Sequence, residues 1–437
     1  MKVALISTYE MGRQPFGLAS PAAWLERRGH EVVCIDASRR QLPLAEVADA
    51  GLIAFHLPMH TATRLAVPLI SRILAARPDA HICCYGLYAP MNEPFLREQG
   101  VRTILGGEFE KSLADLADGA ATGAATLDRL RFITPVRAQL PGLGSYAKLK
   151  LGNEWKTAGY TEASRGCKHL CRHCPVVPVY NGAFRVVQRD VVLADIRQQA
   201  AAGAEHITFG DPDFFNGPGH AMAIVNALHA EFPELTYDVT IKIEHLLKHR
   251  DLLPGLRRTG CLFVVSAAES IDDEVLARLD KGHTRADFAE AACLMRRTGL
   301  TLSPTFITFT PWTTRQSYRE LLETLAGMEL VENVAPIQLA MRLLIPAGSR
   351  LLELPEVRRI AGRFDPSALA HPWRHEDPSI DGLCVEIQRL IQREEGAASR
   401  GEMFGKIREL ATGEASPPDF HLPARATIPY LNEPWYC

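Results

Sequence analysis

Gly166-Cys167-Lys168-His169-Leu170-Cys171-Arg172-His173-Cys174-Pro175 stands just after a strand-like run, residues 160–164, and ahead of a long alternation of apolar and helical stretches. That placement makes it a loop at a strand's carboxyl end, the side on which α/β folds gather their chemistry. Thiolates are soft ligands, and three in one tight loop can wrap an iron–sulfur cubane or a zinc ion. Structural zinc takes four ligands, commonly as two Cys-x-x-Cys halves, and no second pair lies near. His169 or His173 would have to complete such a site, and side chains this close in one loop reach tetrahedral positions only with strain. A zinc knuckle stands as the alternative to a cluster.

Outward from the loop, strands are expected at 160–164, 206–209, 236–243, 262–267, 302–309 and 337–344, with helical patterns such as 191–202 and 285–298 between them. Six βα units over 159–346 fall short of an eight-unit barrel of ~250 residues and predict a partial (β/α)6 barrel. Upstream, apolar runs at 2–7, 31–35, 51–55, 81–85 and 102–105 alternate with helical patterns. Such alternation predicts a parallel sheet covered on both faces, a doubly wound domain over 1–118. Its ligand loops would be 9–16, 56–61, 86–89 and 106–109, beyond the strands' carboxyl ends. Residues 119–158, rich in Ala and Gly and carrying Pro135, Pro141 and Gly142, read as a linker. Residues 347–437 read as a helical region and a Pro-rich tail. The fold class is α/β.

A chain of 437 residues suits two domains and a tail. Its 47% hydrophobic and 23% charged residues are those of a globular protein, and a net charge of −3 gives no reason to expect nucleic acid or an anionic membrane. Met1-Lys2 runs directly into a short strand, and no apolar run reaches ~20 residues, so the expected setting is cytoplasmic. Of the ten cysteines, Cys34, Cys83, Cys84, Cys261, Cys293 and Cys384 lie in apolar or helical patterns and are expected as buried core thiols. The trio and the terminal Cys437 remain.

Cys-x3-Cys-x2-Cys after the first strand of a βα barrel resembles the motif of the radical S-adenosylmethionine (SAM) enzymes. The resemblance implies that Cys167, Cys171 and Cys174 bind three irons of a [4Fe–4S] cluster whose fourth iron receives SAM, with an electron donor such as flavodoxin or ferredoxin. Cleavage of SAM would then start radical chemistry on a small-molecule or peptide substrate. The residue before the third cysteine, usually aromatic, is His173 here. The family's Gly-Gly-Glu stretch corresponds to Phe209-Gly210-Asp211-Pro212-Asp213, where Gly210, Asp211 and Asp213 would meet the methionine ammonium; the acids could equally cap the following turn. Ser266 and Glu269, at the end of the fourth strand, match positions contacting ribose and carboxylate. Lys281-Gly282-His283-Thr284 also resembles family members, and Thr308 and Thr310 are weaker candidates. Lys242 and Glu244 alternate on an expected strand and would share one face; buried charge there is costly unless paired or functional.

The N-terminal domain resembles the cobalamin-binding domain fused ahead of many such barrels, which implies cobalamin and methyl transfer, or a cobalamin-free scaffold with rearrangement or oxidation. The Asp-x-His-x-x-Gly motif is absent; His56 and His60 flank the third-strand loop outside any such motif. The ending Tyr430–Cys437 resembles the tail of the group named for terminal Cys-Cys-Ala-Glu-Pro or its selenocysteine form, stopping at the first cysteine. That likeness implies a catalytic role for Cys437 and a selenocysteine codon read as stop. The remaining alternative is a non-catalytic metal-binding module.

Overall fold

The computed structural model describes residues 1–123, 125–394, 398–414 and 428–433. The N-terminal part is a parallel sheet of β1 (Lys2–Ser7), β2 (Glu31–Asp36), β3 (Leu52–His56), β4 (Ile82–Tyr85), β5 (Thr103–Gly107) and the two-residue β6 (Ala125–Thr126), in the order β2-β1-β3-β4-β5-β6. Apolar residues on both sheet faces explain the continuous hydrophobic runs: Ala4, Ile6 and Phe55 pack under one helical layer, Val3, Leu5 and Ala54 under the other. The strand order reverses between β1 and β3, which opens a crevice at their carboxyl ends.

The second sheet begins inside the stretch expected as linker. There β7 (Lys148–Leu151) and β8 (Glu154–Thr161) form an antiparallel hairpin. Its signal was present in the sequence: Gly152-Asn153 separates two alternating runs, and Gly152 takes φ +59° in the turn. A short ribbon, β9 (Ser164–Gly166) with β10 (Phe184–Val186), brackets the cysteine loop. Parallel strands β11 (His206–Phe209), β12 (Thr236–Thr240), β13 (Cys261–Glu269) and β14 (Thr301–Phe306) continue from β8 in a curled half-barrel. The tail strand β15 (Tyr430–Leu431) pairs with β7 at the far edge.

Three local expectations are corrected. The sixth barrel strand, 337–344, is a 3-10 turn at Pro336–Leu339 followed by one bridge, Phe309 to Arg342, because Pro336 starts a tight turn instead of a ladder. Lys242 and Glu244 do not alternate on a strand: β12 ends at Thr240, and the helix Ile243–Lys248 starts directly after Lys242. Cys293 is exposed, because the helix Arg285–Thr298 buries Phe288, Ala291, Ala292 and Met295 and turns position 293 outward. The other five structural thiols are buried as expected.

Candidate functional site

The cysteine loop springs from Gly166, which has φ +71° and no room for a side chain: a Cβ there would strike the Ala183 carbonyl and the Tyr180 ring. The loop is then fastened from outside. The Arg172 amide bonds to the Leu279 carbonyl, and its guanidinium reaches the Arg278 carbonyl at 2.8 Å, at the carboxyl end of the helix Asp273–Leu279. Cys167 and Cys171 are buried and Cys174 partly so; burial pushes the Cys174 thiol up to about 12. Among the described residues, the one group of three or more His, Cys, Asp or Glu whose ligand atoms all lie within 4.8 Å of one another does not contain the cysteines. Two sulfurs on a single zinc, at about 2.3 Å each, would stand about 3.8 Å apart. The three thiols are therefore spread more widely than one zinc ion would hold them.

Cationic groups face these sulfurs. Lys242 Nζ lies 3.9 Å from Cys171 Sγ, and the buried Lys281 pairs with Glu269 at 3.3 Å. Glu269 also accepts from His173 at 3.0 Å. Burial acts to raise the Glu269 carboxyl, but Lys281 and His173 outweigh it and hold it at about 2. Glu269 sits at φ +64°, where the register of β13 against β14 slips between Ala267 and Glu269. This bulge swings the carboxylate towards His173, and non-glycine residues adopt such a φ only where the surroundings enforce it. Lys281 and His283 were seen in the sequence only by likeness; burial with Lys281 nearby pushes His283 down to about 4.

The other expected residues are brought to the same strand ends, with their polar atoms turned to the protein. Ser266 Oγ donates to the Ile241 carbonyl at 2.6 Å, and Thr308 Oγ1 donates to the Met341 carbonyl at 3.3 Å. Thr310 closes a hydroxyl turn with Thr313. Asp211 accepts from the Ala163 amide at 2.9 Å and from Ser164 Oγ, so its carboxylate clamps the entry to β9. Asp213 accepts from the Phe215 amide with one oxygen, the capping role considered from sequence. Gly210 lies against the Tyr160 hydroxyl, leaving no space for a Cβ.

A cavity of about 280 Å³ opens between the two sheets, where the switch point of the first meets the cysteine loop. Glu10, Arg13, Glu162 and Arg165 bring charge to it. Arg165 pairs with Glu110 at 2.6 Å and Glu162 at 2.7 Å and lies 3.7 Å from Glu108, while Tyr180 donates to Glu108 at 3.0 Å. Burial pushes Glu108 up to about 7, against the pull of Arg165. His56 bonds to Glu10 at 2.7 Å with its ring against Gly17, and His60 bonds to the Ala368 carbonyl at 2.6 Å, so both histidines are engaged by the protein. A second cavity, about 250 Å³, fills the half-barrel lumen and is lined by Thr208, Asp238, Thr240, Ser303 and Thr305. The tail forms part of its wall: Glu433 pairs with Arg13 at 2.5 Å. Cys437 lies outside the described residues. No helix among the described residues is long and apolar enough to cross a membrane.

Comparison with known proteins places the radical SAM superfamily pattern on residues 161–325. Over 296 residues the chain is 24% identical to the tRNA-2-methylthio-N(6)-dimethylallyladenosine synthase of Chlorobium luteolum, covering 63% of this chain and 62% of that protein. It is 25% identical over 151 residues to the hopanoid C-3 methylase of Methylococcus capsulatus, covering 35% of this chain and 29% of the methylase. The chain thus spans less than two thirds of these curated relatives. Among solved structures, the cobalamin-dependent SAM radical enzyme OxsB with aqua-cobalamin matches with a TM-score of 0.70 and 14% identity, over 90% of this chain and 67% of OxsB. The radical SAM methyltransferase TsrM of Kitasatospora setae, with tryptophan and a SAM analogue, matches with a TM-score of 0.60 and 19% identity, over 75% of this chain and 71% of TsrM. At these identities the likeness is one of fold: a doubly wound domain followed by a radical SAM barrel.

Proposed function

With a radical SAM domain over residues 161–325, we propose that the protein is a [4Fe–4S] enzyme that reductively cleaves SAM to start radical chemistry on a small-molecule or peptide substrate. The observation that carries this reading is three thiols in one loop at a strand's carboxyl end, not all within 4.8 Å of one another, with Lys242 beside Cys171 and Lys281 close by. Soft donors set for separate metal atoms, with cations beside them, fit an anionic cluster with three protein ligands. Cys167, Cys171 and Cys174 would hold it. When bound, the cluster supplies the electron that cleaves the sulfonium of SAM into methionine and a 5′-deoxyadenosyl radical.

The chain's own residues have the following parts. Lys242 and Lys281 balance thiolate charge. Glu269, kept ionised by Lys281 and His173, offers a fixed acceptor beside the loop, and His173 a flat ring for the adenine. Gly210 lets the Tyr160 ring pack against the strand end beside the site. Ser266, Thr308, Asp211 and Asp213 fix the strand ends on which SAM would rest. A low-potential donor such as flavodoxin or ferredoxin would supply the electron.

Cobalamin is proposed as a further cofactor at the inter-sheet cavity. The switch-point crevice, lined by Gly17, Gly86 and Gly107 and by Glu10, Arg13 and Arg165, would hold the cofactor, with His56 kept on Glu10. Bound there, cobalamin supplies a methyl carrier, making methyl transfer to carbon the reaction; without it, hydrogen abstraction leads to rearrangement or oxidation. Metal analysis of protein purified without oxygen in the presence of hydroxocobalamin tests both assignments. About four irons with matching sulfide, and cobalt retained through gel filtration, are expected; zinc in place of iron would support a metal-binding module instead.

A further inference from the structure

Beside the cysteine loop stands the one group of three or more close-set ligand residues among the described residues: His169, Asp213 and His245. They come from three different strand ends. His169 lies in the loop after β9, Asp213 in the turn after β11, and His245 in the first turn of the helix after β12. His169 Nε2 is 3.3 Å from His245 Nε2 and 3.7 Å from Asp213 Oδ2, while His245 Nδ1 is 2.6 Å from that same oxygen. Asp213 is fully buried and His245 is 6% exposed. Yet Asp213 Oδ2 accepts no hydrogen bond and has only the close approach of the His245 ring. A buried carboxylate oxygen without a hydrogen bond is costly, and an ion bound by the two Nε2 atoms would give it a partner. The backbone holds both residues in place nonetheless: Asp213 precedes the buried Phe214 and Phe215, and His245 lies between the buried Ile243 and Leu246.

We infer that His169, Asp213 and His245 bind one divalent first-row transition-metal ion, zinc being the simplest case, separate from the cysteine cluster. Two nitrogens on such an ion, at about 2.0–2.1 Å and a tetrahedral angle, stand about 3.3 Å apart. Two imidazoles and one carboxylate are borderline donors that favour this class of ion over magnesium or calcium. Glu244 lies 3.5 Å from the other nitrogen of His169, the position from which a carboxylate orients a ligating ring. Three protein ligands leave a coordination position open. It would lie next to the loop that receives SAM under the reading above, and could accept a donor atom of substrate. The site itself does not depend on that reading.

The test uses the full chain, held without oxygen. A variant with Cys167, Cys171 and Cys174 all replaced by alanine is titrated with Co²⁺ and read by its visible d–d bands. About one cobalt per chain is expected, with the spectrum of nitrogen and oxygen ligands and no thiolate charge transfer. His245→Ala added to that background should abolish the bands, and His249→Ala, whose ring lies 5.6 Å away, should leave them. Should the triple variant fail to fold, the reconstituted wild type is compared with His245→Ala: one zinc beside about four irons, against none with iron unchanged. Cobalt bound equally well in His245→Ala, or bound only where the cysteines are present, would overturn the inference. Absence of SAM cleavage in the reconstituted wild type, with cobalt binding by the triple variant intact, would instead count against the radical reading alone.

Discussion

Gly166 and Glu269 show how single residues set the site. Each holds a left-handed φ, the first to turn the chain into the cysteine loop, the second to aim a carboxylate at His173 and Lys281. Gly166→Ala should cost about 1–3 kcal/mol, since its Cβ meets backbone and a buried ring. Because the shift falls on the residue before Cys167, the variant should also lose iron; anaerobic urea unfolding and iron analysis measure the two. Glu269→Ala leaves Lys281 buried and unpaired and should destabilise by about 3–5 kcal/mol in the same unfolding assay, with Glu269→Gln less severe. The three cysteines were legible because soft ligands at that spacing have few other uses. Glu269 was legible as a strand-end acid, while its bulge was not, since nothing local in Ala267-Ala268-Glu269 marks a register slip that β14 imposes. His245 was not legible at all: its meaning depends on His169 and Asp213, which are distant in sequence.

Elements place these residues, and the least expected is the tail. Its strand β15 extends the barrel sheet through β7, with the Asn432 amide bonded to the Lys148 carbonyl, and Glu433 reaches Arg13 from the first loop of the other sheet. Glu433→Ala should free this edge: hydrogen exchange at the Asn432 amide should rise, and stability should fall by about 2 kcal/mol, softened by the partial exposure of Arg13. Unchanged exchange would show that backbone pairing alone holds the tail. The strands buried on both faces were legible as continuous apolar runs. The β7–β8 hairpin carried its signal in Gly152-Asn153 but was masked by the Ala- and Gly-rich stretch before it; β15 was not legible, because Tyr430-Leu431 is a two-residue edge strand whose partner β7 lies far along the chain. The sixth barrel strand was over-read for the converse reason: Leu339, Ala340 and Leu343 pack the core without forming a ladder.

At the scale of the molecule, Arg165 joins the two sheets by gathering Glu108, Glu110 and Glu162 around one guanidinium. Burial, with Glu110 adding to it, lifts Glu108 to about 7. The folded state thus binds this proton more tightly than the unfolded chain, whose glutamates titrate near 4.3. Stability should therefore fall as pH rises from about 4.5 to 7, by on the order of 3 kcal/mol, and stay lowered above that. Glu108→Gln should flatten this part of the pH profile in urea midpoints taken at pH 5 and pH 8; Asp211, raised to about 7 by its burial, contributes a slope of the same sign that remains. These contacts bring the switch-point crevice to the cysteine loop and so bear on the chemistry proposed for both. That chemistry is tested most directly by reconstituting the cluster without oxygen, adding dithionite and SAM, and following 5′-deoxyadenosine by mass spectrometry. The account predicts that it forms in the wild type and disappears in Cys171→Ala; an intact cluster of about four irons that yields no more 5′-deoxyadenosine than Cys171→Ala would contradict it.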